Sequence, residues 1–309
     1  MSLLAEFEYK RPESLDELLD LLSDFEGKAA ILAGGTDIIP RIKMGLKEPA
    51  LVIDIKEIEG LNYVKKEGEN VRIGSITTIF DIRNNALIKD RYPVLHEAAC
   101  LTASENIQLR GTLGGNIIQD TRCVYYNKPK EWRASFKACF KIGGGTCNAA
   151  GGAKKCFSVY CGDLAVALIS LGASVLIMGK DAEREIPLED IFTADGKIPF
   201  SLNDGDFIKE VIIPSEKKMG GYEKLRLRKS IDYPVVNIAL SIDAEERGRL
   251  AVGSVAAKPL LYGFSSFEEL RQLPDRAYAD ASPINNMALS PLYRKSMVRV
   301  LSEKLIGRI

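Results

Sequence analysis

The sequence predicts an α+β protein of two or three domains, on three observations. The chain has 309 residues, more than one hydrophobic core usually serves. Its first 60 or so residues run strand, helix, strand, helix, strand, the rhythm of a small α/β lobe. Its last third follows a polar, turn-rich stretch over 179–190 and runs through successive strands before two helices. These features divide the chain into a first lobe over 1–59, a second over 60–179 and a C-terminal α+β domain over 180–309.

Each element has its own signal. Residues 4–10 alternate loosely and read as a short strand. Leucines at 15, 18, 19 and 22 mark one face of an amphipathic helix, with Ser14 as N-cap, Glu17 completing a capping box and Gly27 ending it. Residues 29–33 form a buried strand that runs into Gly34-Gly35-Thr36-Asp37; helix follows to about Met44, and 50–55 is another strand. In the second lobe, 63–66 and 70–73 pair as a hairpin, 78–84 and 93–103 are helical, and 108–111 lead into a second glycine turn. Residues 164–171 are helical and 173–178 form a strand. The C-terminal domain has strands near 207–213, 223–228, 237–243 and 249–255, then helices over 266–273 and 291–306.

Composition narrows the function classes. Hydrophobic content of 46% and charged content of 27% are those of a soluble globular protein. Basic and acidic residues balance at 42 each, so no global charge draws the chain to nucleic acid or an anionic membrane. No apolar run approaches the roughly 20 residues of a membrane span. Glu6, Glu8, Lys10 and Arg11 interrupt any signal-peptide core, which makes a reducing cytoplasm the expected compartment. There, the six cysteines are expected as thiols or metal ligands rather than disulfides. The single histidine, His96, gives no basis for a Ser-His-Asp arrangement.

Two turns carry the binding chemistry. Ala33-Gly-Gly-Thr-Asp37 and Thr112-Leu-Gly-Gly-Asn116 each combine a Gly-Gly pair, a hydroxyl and a short polar side chain. Glycine permits positive φ and leaves no Cβ between amide and ligand, so successive amides can converge on a phosphate. Neither turn is G-x-G-x-x-G or a P-loop. Gly-Gly also occurs in strand-to-helix turns for purely conformational reasons; one turn in each lobe points to a ligand clamped between lobes.

Between the second turn and the apolar run at 161–169 lies a long excursion with four of the six cysteines: Cys123, Cys139, Cys147 and Cys156. Such clustering in a cytosolic protein points to a metal site. The spacings contain no C-x-x-C pair, which excludes a zinc ribbon or a ferredoxin-type run and leaves four thiolates on loops. Glycines at 143, 144, 145, 151 and 152 would let amides approach inorganic sulfur, and Tyr125, Tyr126, Trp132, Phe136, Phe140, Phe157 and Tyr160 would wall a cluster from water. Between 121 and 160 eight Lys/Arg face one acid, Glu131. That charge suits an anionic cluster, and its exposed lysines suit docking of an acidic electron donor such as a ferredoxin. Cys100 reads as a core thiol, Cys161 as structural and the natural fifth ligand candidate.

The motifs resemble those of the FAD-binding medium subunit of the xanthine dehydrogenase and carbon monoxide dehydrogenase family. The similar text is Ile31-Leu-Ala-Gly-Gly-Thr-Asp37, Ile73-Gly-Ser-Ile-Thr-Thr78, Tyr92-Pro-Val-Leu95, Gly111-Thr-Leu-Gly-Gly-Asn-Ile117, Gly162-Asp-Leu164, Tyr222-Glu-Lys224 and Leu292-Tyr-Arg294, in the family's order along the whole chain. The resemblance implies a two-lobed FAD-binding fold of the vanillyl-alcohol-oxidase type, with a C-terminal domain that closes over the isoalloxazine. It implies that Ile31, Leu32, Ala33, Gly34, Gly35, Thr36 and Asp37, with Thr112, Gly114, Gly115 and Asn116, bind FAD around its diphosphate. It places Asp163 near the ribose or adenine side, Lys224 beside the flavin ring and Thr102 near the flavin. In the common family pattern the Gly-Gly-Asn turn runs almost directly into the Asp-Leu helix; here the excursion over about 118–161 intervenes. An insert with four cysteines at this point is similar to the β subunit of 4-hydroxybenzoyl-CoA reductase. That implies a [4Fe-4S] cluster on Cys123, Cys139, Cys147 and Cys156, and partner subunits that carry a molybdenum cofactor and a [2Fe-2S] centre. Two alternatives stay open: an FAD subunit of an oxidising enzyme whose insert holds zinc or nothing, and a nucleotide-binding scaffold with structural zinc.

Overall fold

Residues 6–180 and 182–309 are described by a computed structural model. The chain begins β1 (Glu8–Lys10), α1 (Leu15–Asp24), β2 (Ala29–Leu32), α2 (Ile38–Lys43) and β3 (Leu51–Asp54). Residues 4 and 5 of the expected first strand lie outside the described residues. Ser14 Oγ accepts from the Glu17 amide at 3.2 Å, so the capping residue read from the sequence does start α1. Leu18, Leu19 and Leu22 are buried in one cluster with Leu51, Ile53 and Ile55. β1 and β2 both pair in parallel with β3, in the order β1-β3-β2. The first glycine turn leaves this sheet at the C-terminal end of β2.

The second lobe continues with β4 (Val64–Glu67) and β5 (Asn70–Gly74), the expected hairpin. Five helical segments follow: α3 (Ile79–Asn84), α4 (Ala86–Arg91), α5 (Pro93–Leu101), α6 (Glu105–Gln108) and α7 (Leu113–Ile117). The sequence reading omits α4, which starts where Asn85 Oδ1 accepts from the amides of Leu87 and Ile88. The excursion holds a short helix, α8 (Lys130–Arg133), and a single 3-10 turn at Phe140–Ile142, before α9 (Asp163–Leu171), β6 (Ser174–Met178), β7 (Glu183–Pro187) and β8 (Phe207–Pro214). These strands make an antiparallel sheet in the order β4-β5-β8-β6-β7. The turn-rich composition over 179–190 therefore marks a hairpin within a sheet that runs on to Pro214. Its second strand, β7, is an edge strand with no fully buried residue, and so lacks an apolar signature.

The last region is an antiparallel meander, β9 (Met219–Leu225), β10 (Val236–Ile242), β11 (Gly248–Gly253) and β12 (Leu260–Phe264), covered by α10 (Phe267–Asp280) and α11 (Pro291–Ile306). α10 runs seven residues past its expected end and carries Pro274 inside it. Burial of Leu270, Leu273 and Ala277 in one cluster with Val298 and Leu301 of α11 outweighs the lost backbone hydrogen bond.

α9 positions the site. All nine of its residues are buried, and it packs against α5, β10 and β11, joining the second lobe and the meander in one core with Tyr222, Ala239 and Ala251. At about 1.5–3 kcal/mol per fully buried Val, Leu or Ile, this packing dominates its stability over helix propensity.

Candidate functional site

A cleft of about 510 Å³ opens between the two glycine turns. Gly35 stands at φ +73°, a conformation strained for any residue with a Cβ. Gly34 touches the lead-in to the second turn: a Cβ there would lie 1.7 Å from the Arg110 carbonyl oxygen. A hydrogen in place of a side chain is what lets the lobes meet. The amides of Gly34, Gly35, Thr36 and Asp37 donate to no acceptor among the described residues, and all four residues line the cleft. Successive free N–H groups on a cavity wall are suited to an oxyanion such as a phosphate.

The second turn is built differently. It is the start of α7, with Thr112 as N-cap; Thr112 Oγ1 accepts from the Gly115 amide at 3.3 Å. The amides of Leu113, Gly114 and Asn116 donate to the carbonyls of Thr77, Ser75 and Thr112 at 2.9, 2.8 and 2.9 Å. Asn116 Oδ1 accepts from the Leu164 amide at 3.1 Å and so holds the first turn of α9. Thr112, Gly114, Gly115 and Asn116 all line the cleft.

Asp163, the first residue of α9, also lines the cleft and is buried. The Tyr222 hydroxyl donates to it at 2.5 Å, and Lys224 Nζ lies 2.9 Å from it. Burial pushes the Asp163 carboxyl above the ordinary range, against the pull of Lys224 and Tyr222. Lys224 does not line the cleft: its side chain is 1% exposed, and Nζ is shared between Asp163 and the Leu101 carbonyl. It stands behind Asp163, whose carboxylate it holds. Thr102 lines the cleft with its hydroxyl bonded to the Ala98 carbonyl at 2.7 Å, and Ala103 follows at φ +52°. Ile31 and Ala33 line the cleft; Leu32 does not, as the alternation of an extended strand requires. Ser75, Arg41 and Ala103 are cleft residues that sequence reasoning missed. Ser75 lay within a quoted motif, whereas Arg41 reads in sequence as an ordinary solvated helix cation.

The four cysteines of the excursion line one small cavity of about 20 Å³, together with Tyr125, Tyr126, Phe140 and Phe157. A two-way backbone pairing of Arg122 with Val159, at 2.7 and 2.9 Å, closes the neck of the excursion just outside Cys123 and Cys156. Among the described residues no three of these sulfurs lie within 4.8 Å of one another. A single tetrahedral ion with metal–sulfur bonds of about 2.3 Å needs sulfurs about 3.8 Å apart. Burial pushes the Cys123 thiol up to about 11, so ligation must displace its proton.

Several sequence expectations for the excursion are corrected. Trp132 and Phe136 do not wall the cavity but stack on Tyr125 at the surface, 38% and 42% exposed, because no element covers them. Tyr160 is buried in the main core, where its hydroxyl donates to the Ile117 carbonyl at 2.6 Å. None of the five glycines lines the cavity. Of the cations, Lys128, Lys130, Lys137, Lys154 and Lys155 are exposed, whereas Lys141 is buried against Asp120, Arg133 donates to the carbonyls of Met44 and Gly45, and Arg122 stacks on Tyr233. Cys100 is exposed rather than a core thiol, on the outer side of α5, 3.6 Å from His96. Cys161 is buried and does not line the cysteine cavity.

Residues 5–216 match the family described as the FAD binding domain in molybdopterin dehydrogenase. The chain is 31% identical over 244 residues to the aldehyde oxidoreductase FAD-binding subunit of Escherichia coli (strain K12), covering 75% of this chain and 76% of that one. It is 26% identical over 320 residues to the glyceraldehyde dehydrogenase medium chain of Sulfolobus acidocaldarius, covering 98% of each. Its fold superposes on a chain of carbon monoxide dehydrogenase from Hydrogenophaga pseudoflava with a TM-score of 0.79 at 22% identity, over 99% and 98% of the two chains.

Proposed function

From its place among the FAD-binding medium subunits of the molybdenum hydroxylase family, to which this chain belongs, we propose an electron-transfer subunit with two redox sites. FAD binding and an oxidoreductase role follow from the family itself. The reading adds that the cleft holds FAD by the free amides of Gly34, Gly35, Thr36 and Asp37, and that the cysteine cavity holds a [4Fe-4S] cluster on Cys123, Cys139, Cys147 and Cys156. When bound, these groups supply one- and two-electron transfer; the chain supplies position, polarity and exclusion of water. The observation that carries the cleft is the row of four unpartnered amides on its wall. Thr112, Gly114, Gly115 and Asn116 shape the opposite wall, Ile31, Ala33 and Thr102 complete it, and Asp163 presents a carboxylate held by Tyr222 and Lys224. The convergence of the four cysteines on one cavity supports a bound metal centre there.

Substrate chemistry then belongs to partner chains: a large subunit with the molybdenum cofactor and a small [2Fe-2S] subunit. The names of the relatives, a medium chain and an FAD-binding subunit, support that assembly. The four-cysteine excursion supports a reductase similar to 4-hydroxybenzoyl-CoA reductase, with a ferredoxin docking on the exposed lysines 128, 130 and 137. No helix among the described residues is long and apolar enough to cross a membrane, and the free thiols suit the cytoplasm. A second reading, an oxidising dehydrogenase with zinc or nothing in the excursion, draws on the dehydrogenase and oxidoreductase names of the relatives.

Flavin and metal analysis of anaerobically purified protein separates these readings. One FAD and about four iron per chain support the first. Flavin with zinc or no metal sinks the cluster and leaves the flavin subunit. Absence of flavin sinks both.

A further inference from the structure

A line of polar contacts joins the cleft to the cysteine cavity. Arg41, on α2, lines the cleft and is only 9% exposed. Its Nη1 lies 3.6 Å from Asp37 in the first glycine turn. Its Nη2 donates to Asp120 at 2.5 Å and to the Tyr126 hydroxyl at 3.2 Å. Asp120 also accepts from Tyr126 at 3.2 Å and from Lys141 Nζ at 2.6 Å. Tyr126 lines the cysteine cavity, as does Phe140, the neighbour of Lys141. Tyr126 thus has a place in both sites. Arg41 Nε is buried and has no partner among the described residues, so the guanidinium keeps one donor unspent.

Tyr126 and Lys141 belong to loops whose sequence offers little regular structure of its own. Ligation of four thiols would fix those loops, and through Asp120 and Tyr126 the orientation of Arg41. We propose that Arg41 is a positioning residue for FAD whose setting depends on the cysteine centre, so that a filled centre tightens FAD binding. Linkage requires the reverse as well: bound FAD tightens the hold on the metal. This rests on the reading that FAD and an iron–sulfur cluster occupy the two sites. A polar network alone does not establish coupling; a measured ratio of affinities does.

The test is anaerobic titration of the deflavinated full-length chain with FAD, iron-loaded and after removal of iron by chelation. In the wild type the loaded protein is expected to bind FAD about tenfold more tightly, a typical size for coupled sites. Tyr126→Phe keeps a ring at the cysteine cavity but loses the hydroxyl, and the ratio should fall to near one. A merely structural tyrosine would weaken both states alike and leave the ratio intact. Lys141→Met, which removes the other hold on Asp120, should lower the ratio in the same direction. If wild type takes up about four iron and shows no difference in FAD affinity, the coupling is overturned and the proposed function stands. If neither variant changes the ratio, the route through Tyr126 and Asp120 is overturned. If no iron is taken up, the cysteine-centre reading fails and the coupling with it.

Discussion

At 34–37 four successive amides stand free on the cleft wall, whereas at 113–116 every amide is bonded to the protein. The two turns share a Gly-Gly pair, a threonine and a short polar residue, yet they use them differently. The first follows a strand and lets five residues pass before α2 begins, so its backbone is left for a ligand. The second enters α7 at once, so its backbone is consumed by the cap and by the carbonyls of Ser75 and Thr77. Its contribution is a brace: Asn116 fixes the start of α9 and thereby Asp163. Composition identifies a tight turn; what the next residues do with their hydrogen bonds decides whether the turn can bind an anion.

That contrast can be broken by substitution. The largest effect is expected for Asp163→Ala, at the element the second turn braces. It leaves the Lys224 ammonium buried without a carboxylate, which costs about 3–5 kcal/mol; urea unfolding of the flavin-free protein measures it, and a loss near zero would mean that the pair is not what the brace holds. Next comes Gly34→Ala, about 3 kcal/mol with loss of bound flavin, because a Cβ 1.7 Å from a backbone carbonyl forces the lobes apart. Gly114→Ala is its control: its nearest neighbour is Ser75 at 3.1 Å, and the helix gains from alanine, so a cost below about 1 kcal/mol is expected. If the two alanines cost the same, the turns are not distinct. Asn116→Ala should cost about 1 kcal/mol by uncapping α9.

The smallest effect is a pH dependence. Burial raises the Asp37 carboxyl above the ordinary range, against Arg41 and Arg122. The folded protein then holds that proton to higher pH than the unfolded chain does. Stability of the wild type relative to Asp37→Asn should therefore be greatest below the ordinary carboxylate pKa and decline as pH rises through the elevated folded value. Denaturant midpoints of the flavin-free pair between acid and neutral pH check the sign; a gap that widens with pH refutes it.

Much of the fold was legible because its signals are local. The leucine stripe of α1, the β4–β5 hairpin and three of the four meander strands, all but β12, follow from periodicity and capping. β7 and the second half of α10 were not, since the former is a polar edge strand and the latter crosses a proline that packing against α11 overrides. In the site, the cleft residues carried by glycine motifs were found, and the four cysteines do share one cavity. The position of Lys224 behind Asp163, and the whole Arg41–Asp120–Tyr126 contact, depend on pairings across 61, 79 and 85 residues that no local pattern encodes.

The burial of α9 on every side has a consequence for synthesis. Its Ser170 carbonyl is capped by the Ser241 hydroxyl, and its Val166 fits against Gly253, both in strands made some seventy or more residues later. While the ribosome is still producing those strands, a nascent chain that has already made both glycine turns must hold an uncovered apolar helix in solution. A truncation near residue 216 freezes it in that state, and aggregation rather than a smaller flavoprotein is the expected product.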